Sequence, residues 1–132
     1  MNTTAASILM ALLCGARISR FDLLRAIGTL ATKLTKWAEL EGKKLFRLVS
    51  YVYHSITDRM VGFVGDTPDA FHLGLYSDAD FAGDRSDLKS TSGVFLAVLG
   101  PHNFFPVAAL SKRQVAVSVS YTHLTLQTIL RV

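Results

Sequence analysis

Carboxylate side chains are concentrated in one short segment of the sequence, between Asp78 and Asp87. Residues 76–84 read Tyr-Ser-Asp-Ala-Asp-Phe-Ala-Gly-Asp, and Asp87 follows three positions later. If the start of this segment is extended, Asp78 and Asp80 lie on the same face, because side chains alternate along a strand. Carboxylates this close repel one another, and a divalent cation such as magnesium or manganese relieves the repulsion. The spacing alone favours a solvated acidic loop that caps and turns the chain, and the metal site is the alternative at this point.

Other residue groups are less suited to chemistry. The stretch Lys89-Ser90-Thr91-Ser92-Gly93 lacks the glycine that precedes the lysine of a phosphate-binding loop, since Leu88 occupies that position. The four histidines are scattered, with no ligand-like spacing. The single cysteine, Cys14, excludes an internal disulfide and a multi-cysteine zinc site. One cysteine is typical of a reducing compartment, so we expect an intracellular, cytoplasmic protein.

The first half of the chain shows helical patterns, and the predicted helices precede the acidic segment. The apolar run Ala5–Leu13 is too short to cross a bilayer, which needs about 20 residues, so we predict a buried helix and no membrane partner. A second helix is predicted from Ser19, as a capping box with Asp22, to Trp37. A third is predicted over residues 38–56. Its apolar stripe comprises Leu45, Leu48, Val49, Val52 and Ile56. The aromatic residues Trp37, Phe46, Tyr51 and Tyr53 are predicted to pack between helices, with base stacking as the alternative.

Strand patterns replace helical ones in the second half. Strand-forming residues are concentrated over residues 71–81, 93–99 and 104–110, and Gly100-Pro101-His102-Asn103 signals a turn. Short connections favour an antiparallel meander, with the strand that contains Pro106 at a sheet edge, because proline cannot donate to a ladder. We therefore predict an α+β fold, with N-terminal helices followed by a three-stranded antiparallel meander.

Charge is divided unequally between the two halves. Residues 1–59 hold nine Lys/Arg and four Asp/Glu, net +5, whereas residues 60–118 hold four and six, net −2. A basic half beside an acidic half is compatible with a nucleic-acid backbone near a metal site. Ordinary charged surface is the other interpretation.

The acidic segment resembles the start of the ribonuclease H domain in copia-type retrotransposon polyproteins. In that family the run Tyr-Ser-Asp-Ala-Asp-Trp-Ala-Gly-Asp is followed by Arg/Lys-Ser-Thr-Ser-Gly. Here Phe81 stands where tryptophan is common, and Lys89–Gly93 match the second part. Residues 110–114 are similar to the Ser-Lys-Lys-Gln stretch that ends the family's third strand. Residues 20–24 and 45–60 are similar to helices that follow the reverse transcriptase and join it to ribonuclease H.

The resemblance implies a fold, an activity and a set of segments. Ribonuclease H has a five-stranded mixed sheet flanked by helices, and it hydrolyses the RNA strand of RNA–DNA hybrids with two magnesium ions. Asp78 matches the first metal carboxylate, so it is the predicted catalytic and metal-binding residue, whereas Asp80 is not predicted to be a ligand. Residues 1–62 would be a helical connection segment, and residues 63–118 would be part of a ribonuclease H-like domain.

The sequence departs from this family after Ser118. The family continues into a Ser-Ser-Thr-Glu-Ala-Glu type helix that supplies the second carboxylate, but no Asp or Glu follows Asp87 here. Residues 119–132 instead resemble, with Gln127 in place of proline, one reading frame of a transposase end sequence used in sequencing adapters. We interpret residues 119–132 as a non-native tail; a degenerate or out-of-frame end is the alternative.

The departure bears on what this chain can do. One carboxylate cannot assemble a two-metal site, so we expect Mg²⁺ in the complete domain, no stable binding here and no hydrolysis by the chain alone. The first strand also lacks a neighbour that it has in the complete sheet, and an open edge favours self-association. A non-catalytic nucleic-acid-binding module and an inert interaction fragment are the alternative functions.

Overall fold

The chain divides into two compact units in the computed structural model. They comprise Met1–Met60 and Val61–Val132, and the structure describes residues 2–80 and 89–114 of the sequence. The first unit is helical, and the described part of the second is an antiparallel sheet. The α+β class predicted from the sequence is therefore confirmed.

Three α-helices make up the first unit. They are α1 (Thr3–Ile18), α2 (Leu24–Ala31) and α3 (Glu39–His54), with 3₁₀ turns at Phe21–Leu23 and Leu34–Lys36. The first helix begins where the Asn2 side-chain oxygen accepts a hydrogen bond from the Ala5 N–H at 3.0 Å. It extends beyond the predicted segment and buries one face only, because Met10 is 58% exposed.

The core of this unit lies where α1 packs against α2 and the turn before it. Leu9 and Ile27 are fully buried, and burial of a side chain of this size stabilises a fold by about 1.5–3 kcal/mol. The other buried apolar residues of the unit are Ala5, Ala16, Leu23, Leu24, Leu30 and Leu48. Their spacing of three or four positions explains why the α1 and α2 sequences form helices with an apolar face.

The predicted capping box at Ser19 is wrong. Ser19 ends α1, since its N–H donates to the Gly15 carbonyl at 3.0 Å, and Arg20 precedes the 3₁₀ turn without a side-chain cap. Because α1 continues to Ile18, the Ser19 backbone is already used at a helix C-terminus. The single predicted second helix is likewise replaced by α2 and the 3₁₀ turns on either side of it.

Arg20 connects the first 3₁₀ turn to the end of α3. Its Nε and Nη2 atoms donate to the two Asp22 carboxylate oxygens at 3.0 and 2.9 Å. Its Nη1 and Nη2 atoms donate to the Ser55 carbonyl and hydroxyl oxygens at 3.1 and 2.8 Å. The Tyr51 hydroxyl donates to Asp22 at 3.0 Å, and the Arg20 guanidinium carbon lies 5.5 Å from the Tyr51 ring centroid. The hydrogen bonds from Arg20 lower the pKa of Asp22, and the same pairing raises the pKa of Arg20.

The apolar stripe predicted on α3 is only partly buried. Leu48 is buried, Leu45 and Val52 are half-buried, and the stripe ends at buried Ser55. The prediction also placed Val49 and Ile56 in the stripe, but these side chains are 41% and 68% exposed. The helix ends at Ser55, and a residue beyond a helix terminus no longer follows the helical repeat.

The second unit contains a four-stranded antiparallel sheet with strand order β1-β4-β3-β2. The strands are β1 (Phe63–Val64), β2 (His72–Asp80), β3 (Thr91–Gly100) and β4 (Asn103–Arg113). The three predicted strands form the meander β2–β3–β4, and the structure adds β1. A strand of two residues is too short to show an alternating pattern in the sequence, which is why it was missed.

Pro106 lies beside a bulge in β4, and β4 is not an edge strand as predicted. Ala97 pairs with Pro106 but Leu96 pairs with Ala108, so one extra residue, Val107, is accommodated there. On its other side β4 pairs with β1 through Asn103 and Phe104 only. The strand therefore tolerates proline because the β1 ladder ends before that position is reached.

The predicted turn between the last two strands is confirmed. Gly100 ends β3 and Asn103 begins β4. The Asp66 carboxylate accepts a hydrogen bond from the His102 N–H at 2.7 Å. A side chain at Gly100 would collide with that carboxylate and approach the Asn103 Cβ to 3.0 Å, so the turn requires glycine for close packing.

Candidate functional site

Asp78 lies near the end of β2, on an exposed part of the sheet. It is paired with Gly93 of β3, and Gly93 is paired with Ser111 of β4. Residues directly opposite one another in antiparallel strands share a face, so these three positions form one row across the sheet. The Asp78 side chain is exposed and Ser111 is half-buried.

The space beside Asp78 is open because its neighbour in β3 has no side chain. A Cβ at Gly93 would meet only the Asp78 carbonyl oxygen, at 3.8 Å, which is ordinary van der Waals contact. The glycine is therefore not required by packing. Its effect is to leave the carboxylate without a neighbouring side chain on β3, so that a ligand could approach along the row.

The face that carries Asp78 changes from apolar to polar along the strands. At one end the Phe95 ring contacts Tyr76 and Phe104, with centroid separations of 6.2 and 6.3 Å. At the other end the row after Asp78 contains Thr91 paired with Arg113. The candidate site thus lies at the polar end of an aromatic face, with an arginine in the adjacent row.

Three sequence stretches that carry the family resemblance lie side by side in the sheet. Residues 76–80 belong to β2, residues 91–93 begin β3, and residues 110–113 end β4. The Gln114 N–H donates to the Ser90 carbonyl at 2.8 Å, and the Gln114 side-chain amide donates to the Ser92 hydroxyl at 2.8 Å. The polar Lys-Ser-Thr-Ser stretch thus leads into β3 and is fixed against the end of β4.

The other predicted acidic neighbours cannot be placed. Asp84 and Asp87 lie outside the described residues, and so does the side chain of Asp80. The predicted tail over residues 119–132 also lies outside them. Across residues 2–80 and 89–114, no group of three or more His, Cys, Asp or Glu side chains could hold a metal ion. The Asp78 carboxylate is exposed, and the residues that the structure describes do not supply the further ligands of a two-metal site.

A groove in the helical unit was not identified from the sequence. It has a volume of about 760 Å³ and runs beside the start of α3. Its lining includes Trp37, Lys43, Phe46 and Arg47, together with Ala38, Glu39 and Gly42. The prediction that the aromatic residues pack between helices is wrong for Phe46 and Tyr53, which are 73% and 72% exposed. Helical spacing alone could not distinguish these residues from core residues.

None of the helices within the described ranges has both the length and the apolar character needed to cross a bilayer. Comparison with protein-family models, curated proteins and solved structures finds no match to this chain.

Proposed function

We propose that this chain carries the first strands of a copia-type ribonuclease H domain and the helical segment that precedes it in the polyprotein. The complete domain would hydrolyse the RNA strand of RNA–DNA hybrids during reverse transcription. The supporting observation is the register that aligns Asp78, Gly93 and Ser111 in one row. Each residue comes from a different stretch that resembles the family, so one register brings all three stretches together beside Asp78.

Asp78 is the residue expected to bind metal in this proposal. Its exposed carboxylate, next to the open position at Gly93, can present an oxygen ligand to a magnesium ion. Magnesium ions in such a site stabilise the attacking and leaving oxygens of the phosphodiester. The 132 residues provide one of the several carboxylates that the family uses, so the chain by itself is expected to leave hybrids uncut.

The proposal is tested first at the source locus, by resequencing the codons for residues 118–132. If the reading frame continues into an acidic helix, the protein that includes this extension would be produced for the assay. We expect it to cleave the RNA strand of a labelled hybrid with magnesium, and Asp78→Asn should reduce the rate by at least 100-fold, because one ligand of the metal pair is lost. Asp69→Asn is the matched control, since Asp69 is also exposed in the second unit.

Two results would contradict a hydrolytic role for the product of this reading frame. One is an extended frame with no further acidic helix, or a stop codon after a genuine Val132. The other is hybrid cleavage that is equally fast in the Asp78→Asn and Asp69→Asn proteins, which would show that Asp78 does not hold the metal.

Self-association and a cytoplasmic location also form part of the proposal. Among the described strands, β2 pairs only with β3, so its other edge presents backbone groups for a second copy. Sedimentation velocity over a range of concentrations tests this directly. A sedimentation coefficient that does not change with concentration would exclude association through this edge.

A further inference from the structure

The groove beside α3 combines aromatic and cationic side chains. Trp37 is half-buried and Phe46 is largely exposed, and both line the same groove. Neither ring contacts another aromatic side chain in the part of the chain that the structure describes. Exposed aromatic rings that lack ring partners are available to stack on a planar ligand.

The charges around the groove favour an anionic ligand. Arg47 makes no ion pair with any described residue, and its side chain is exposed. Lys43 pairs with Glu39 at 2.8 Å, but both side chains are more than two-thirds exposed, so this pair is weak and readily exchanged. The whole segment 1–59 carries a net charge of +5, so the surrounding potential also attracts anions.

We infer that this groove binds single-stranded nucleic acid, with bases stacked on Trp37 and Phe46 and phosphates contacted by Lys43 and Arg47. The combination of aromatic platforms and adjacent cations is the one that single-strand binders use, and stacking requires bases that are not already stacked in a duplex. The groove is open to solvent, so the rings and the cations that line it are accessible to one strand. An acidic peptide would use the cations but would leave the two rings without a planar partner.

This inference is independent of the ribonuclease H proposal. It concerns the helical unit, involves no metal and no cleavage, and predicts a preference for unpaired strands over hybrids. A chain whose Asp78 proved irrelevant to hydrolysis would still be expected to bind single strands through this groove.

The test uses the full chain and a fluorescein-labelled thymidine oligomer of about twelve nucleotides, which falls within the site sizes of single-strand binders. Fluorescence anisotropy gives the dissociation constant, and quenching of Trp37, the only tryptophan, reports stacking in the groove. Phe46→Ala is expected to weaken binding at least fivefold, which corresponds to the lower limit of about 1 kcal/mol for one stacked base. Phe63→Ala is the control, because Phe63 is an exposed aromatic residue of the second unit and does not line the groove.

The electrostatic contribution to binding is measured separately, from the dependence of the affinity on salt concentration. Two phosphate contacts predict a slope of log affinity against log salt of roughly −1.4, and Arg47→Ala should reduce its magnitude by about 0.7. Glu39→Gln should tighten binding about twofold or more, because it removes the carboxylate that competes for Lys43. Circular dichroism of each variant verifies that the helices are retained.

Several outcomes would overturn the inference. Equal weakening by Phe46→Ala and Phe63→Ala would show that the groove is not the binding surface. Equal competition by a blunt DNA duplex would exclude stacking of unpaired bases. Equal competition by polyglutamate would indicate an acidic-peptide site instead. The expected result is weaker binding by folded Phe46→Ala and Arg47→Ala proteins and unchanged binding by Phe63→Ala.

Discussion

Replacement of Arg20 by alanine is expected to destabilise the helical unit by about 2 kcal/mol. The two hydrogen bonds from Arg20 to Ser55 are partly buried, and hydrogen bonds that involve a charged group contribute about 1.5–3 kcal/mol when well formed. The Asp22 side chain is 41% exposed, so solvent screening limits its ion pair with Arg20 to about 0–1 kcal/mol. The Ser55 hydroxyl keeps one bond after the change, to the Tyr51 carbonyl at 2.7 Å, which lowers the loss.

Urea unfolding monitored by Trp37 fluorescence measures this loss. Trp37 is the only tryptophan and belongs to the helical unit, so its signal reports that unit selectively. Arg47→Ala serves as the control, because Arg47 is an exposed arginine with no ion pair to described residues, and its replacement should change stability by less than about 0.5 kcal/mol. Equal unfolding free energies for the Arg20→Ala and Arg47→Ala proteins would refute the role given to the network.

The same network gives stability a defined pH dependence. The hydrogen bonds from Arg20 hold the pKa of Asp22 below its ordinary value of 3.8. A carboxyl group whose pKa is lower in the folded state stabilises the fold fully above the unfolded value and loses that contribution as pH falls through the folded value. The difference in stability between the natural chain and Asp22→Asn should therefore be constant near neutrality and shrink below about pH 4. A difference that persists unchanged to pH 2 would contradict this account.

Three further changes test the sheet. Gly100→Ala should lower the free energy of unfolding by about 1–3 kcal/mol, because the added Cβ would collide with the Asp66 carboxylate. Thermal unfolding followed by circular dichroism measures this loss. Gly93→Ala should cost less than Gly100→Ala in the same assay, since its Cβ meets only one atom, at 3.8 Å; equal losses would contradict the packing described for the turn. Asp78→Asn should leave the unfolding temperature within about 2 °C, because the side chain is exposed; a larger drop would indicate a structural rather than ligand-binding carboxylate.

Sequence reasoning succeeded where a local pattern determines the structure. The concentration of strand-forming residues over residues 71–81 and the turn at residues 100–103 are local signals, and β2 and the β3–β4 turn form there. The position of Asp78 near the end of a strand follows from the same pattern. That Gly93 and Ser111 lie in the same row as Asp78 depends on how β2, β3 and β4 pair, and the sequence alone does not give this register.

The features that the sequence did not reveal depend on residues far apart in the chain. Arg20 binds Ser55 across 35 positions, and no local pattern identifies that partner. The Ser19–Asp22 pair matched a capping box by spacing, but the long-range bond between Arg20 and Ser55 and the continuation of α1 determined the structure. The exposure of Phe46 was missed for a related reason, because a helical repeat shows which residues share a face but not whether that face is covered.

The difference between the two sides of the sheet limits how many copies can assemble. On the β4 side, a two-residue strand, Pro106 with its bulge and the Lys112-Arg113 pair all hinder the addition of another strand. The β2 side has nine consecutive residues without proline, bulge, lysine or arginine. Among the strands within residues 2–80 and 89–114, this leaves one competent edge, and pairing of two β2 strands would consume it and form a closed dimer. We therefore expect strand addition, where it occurs, to stop at two copies and not to propagate into a filament.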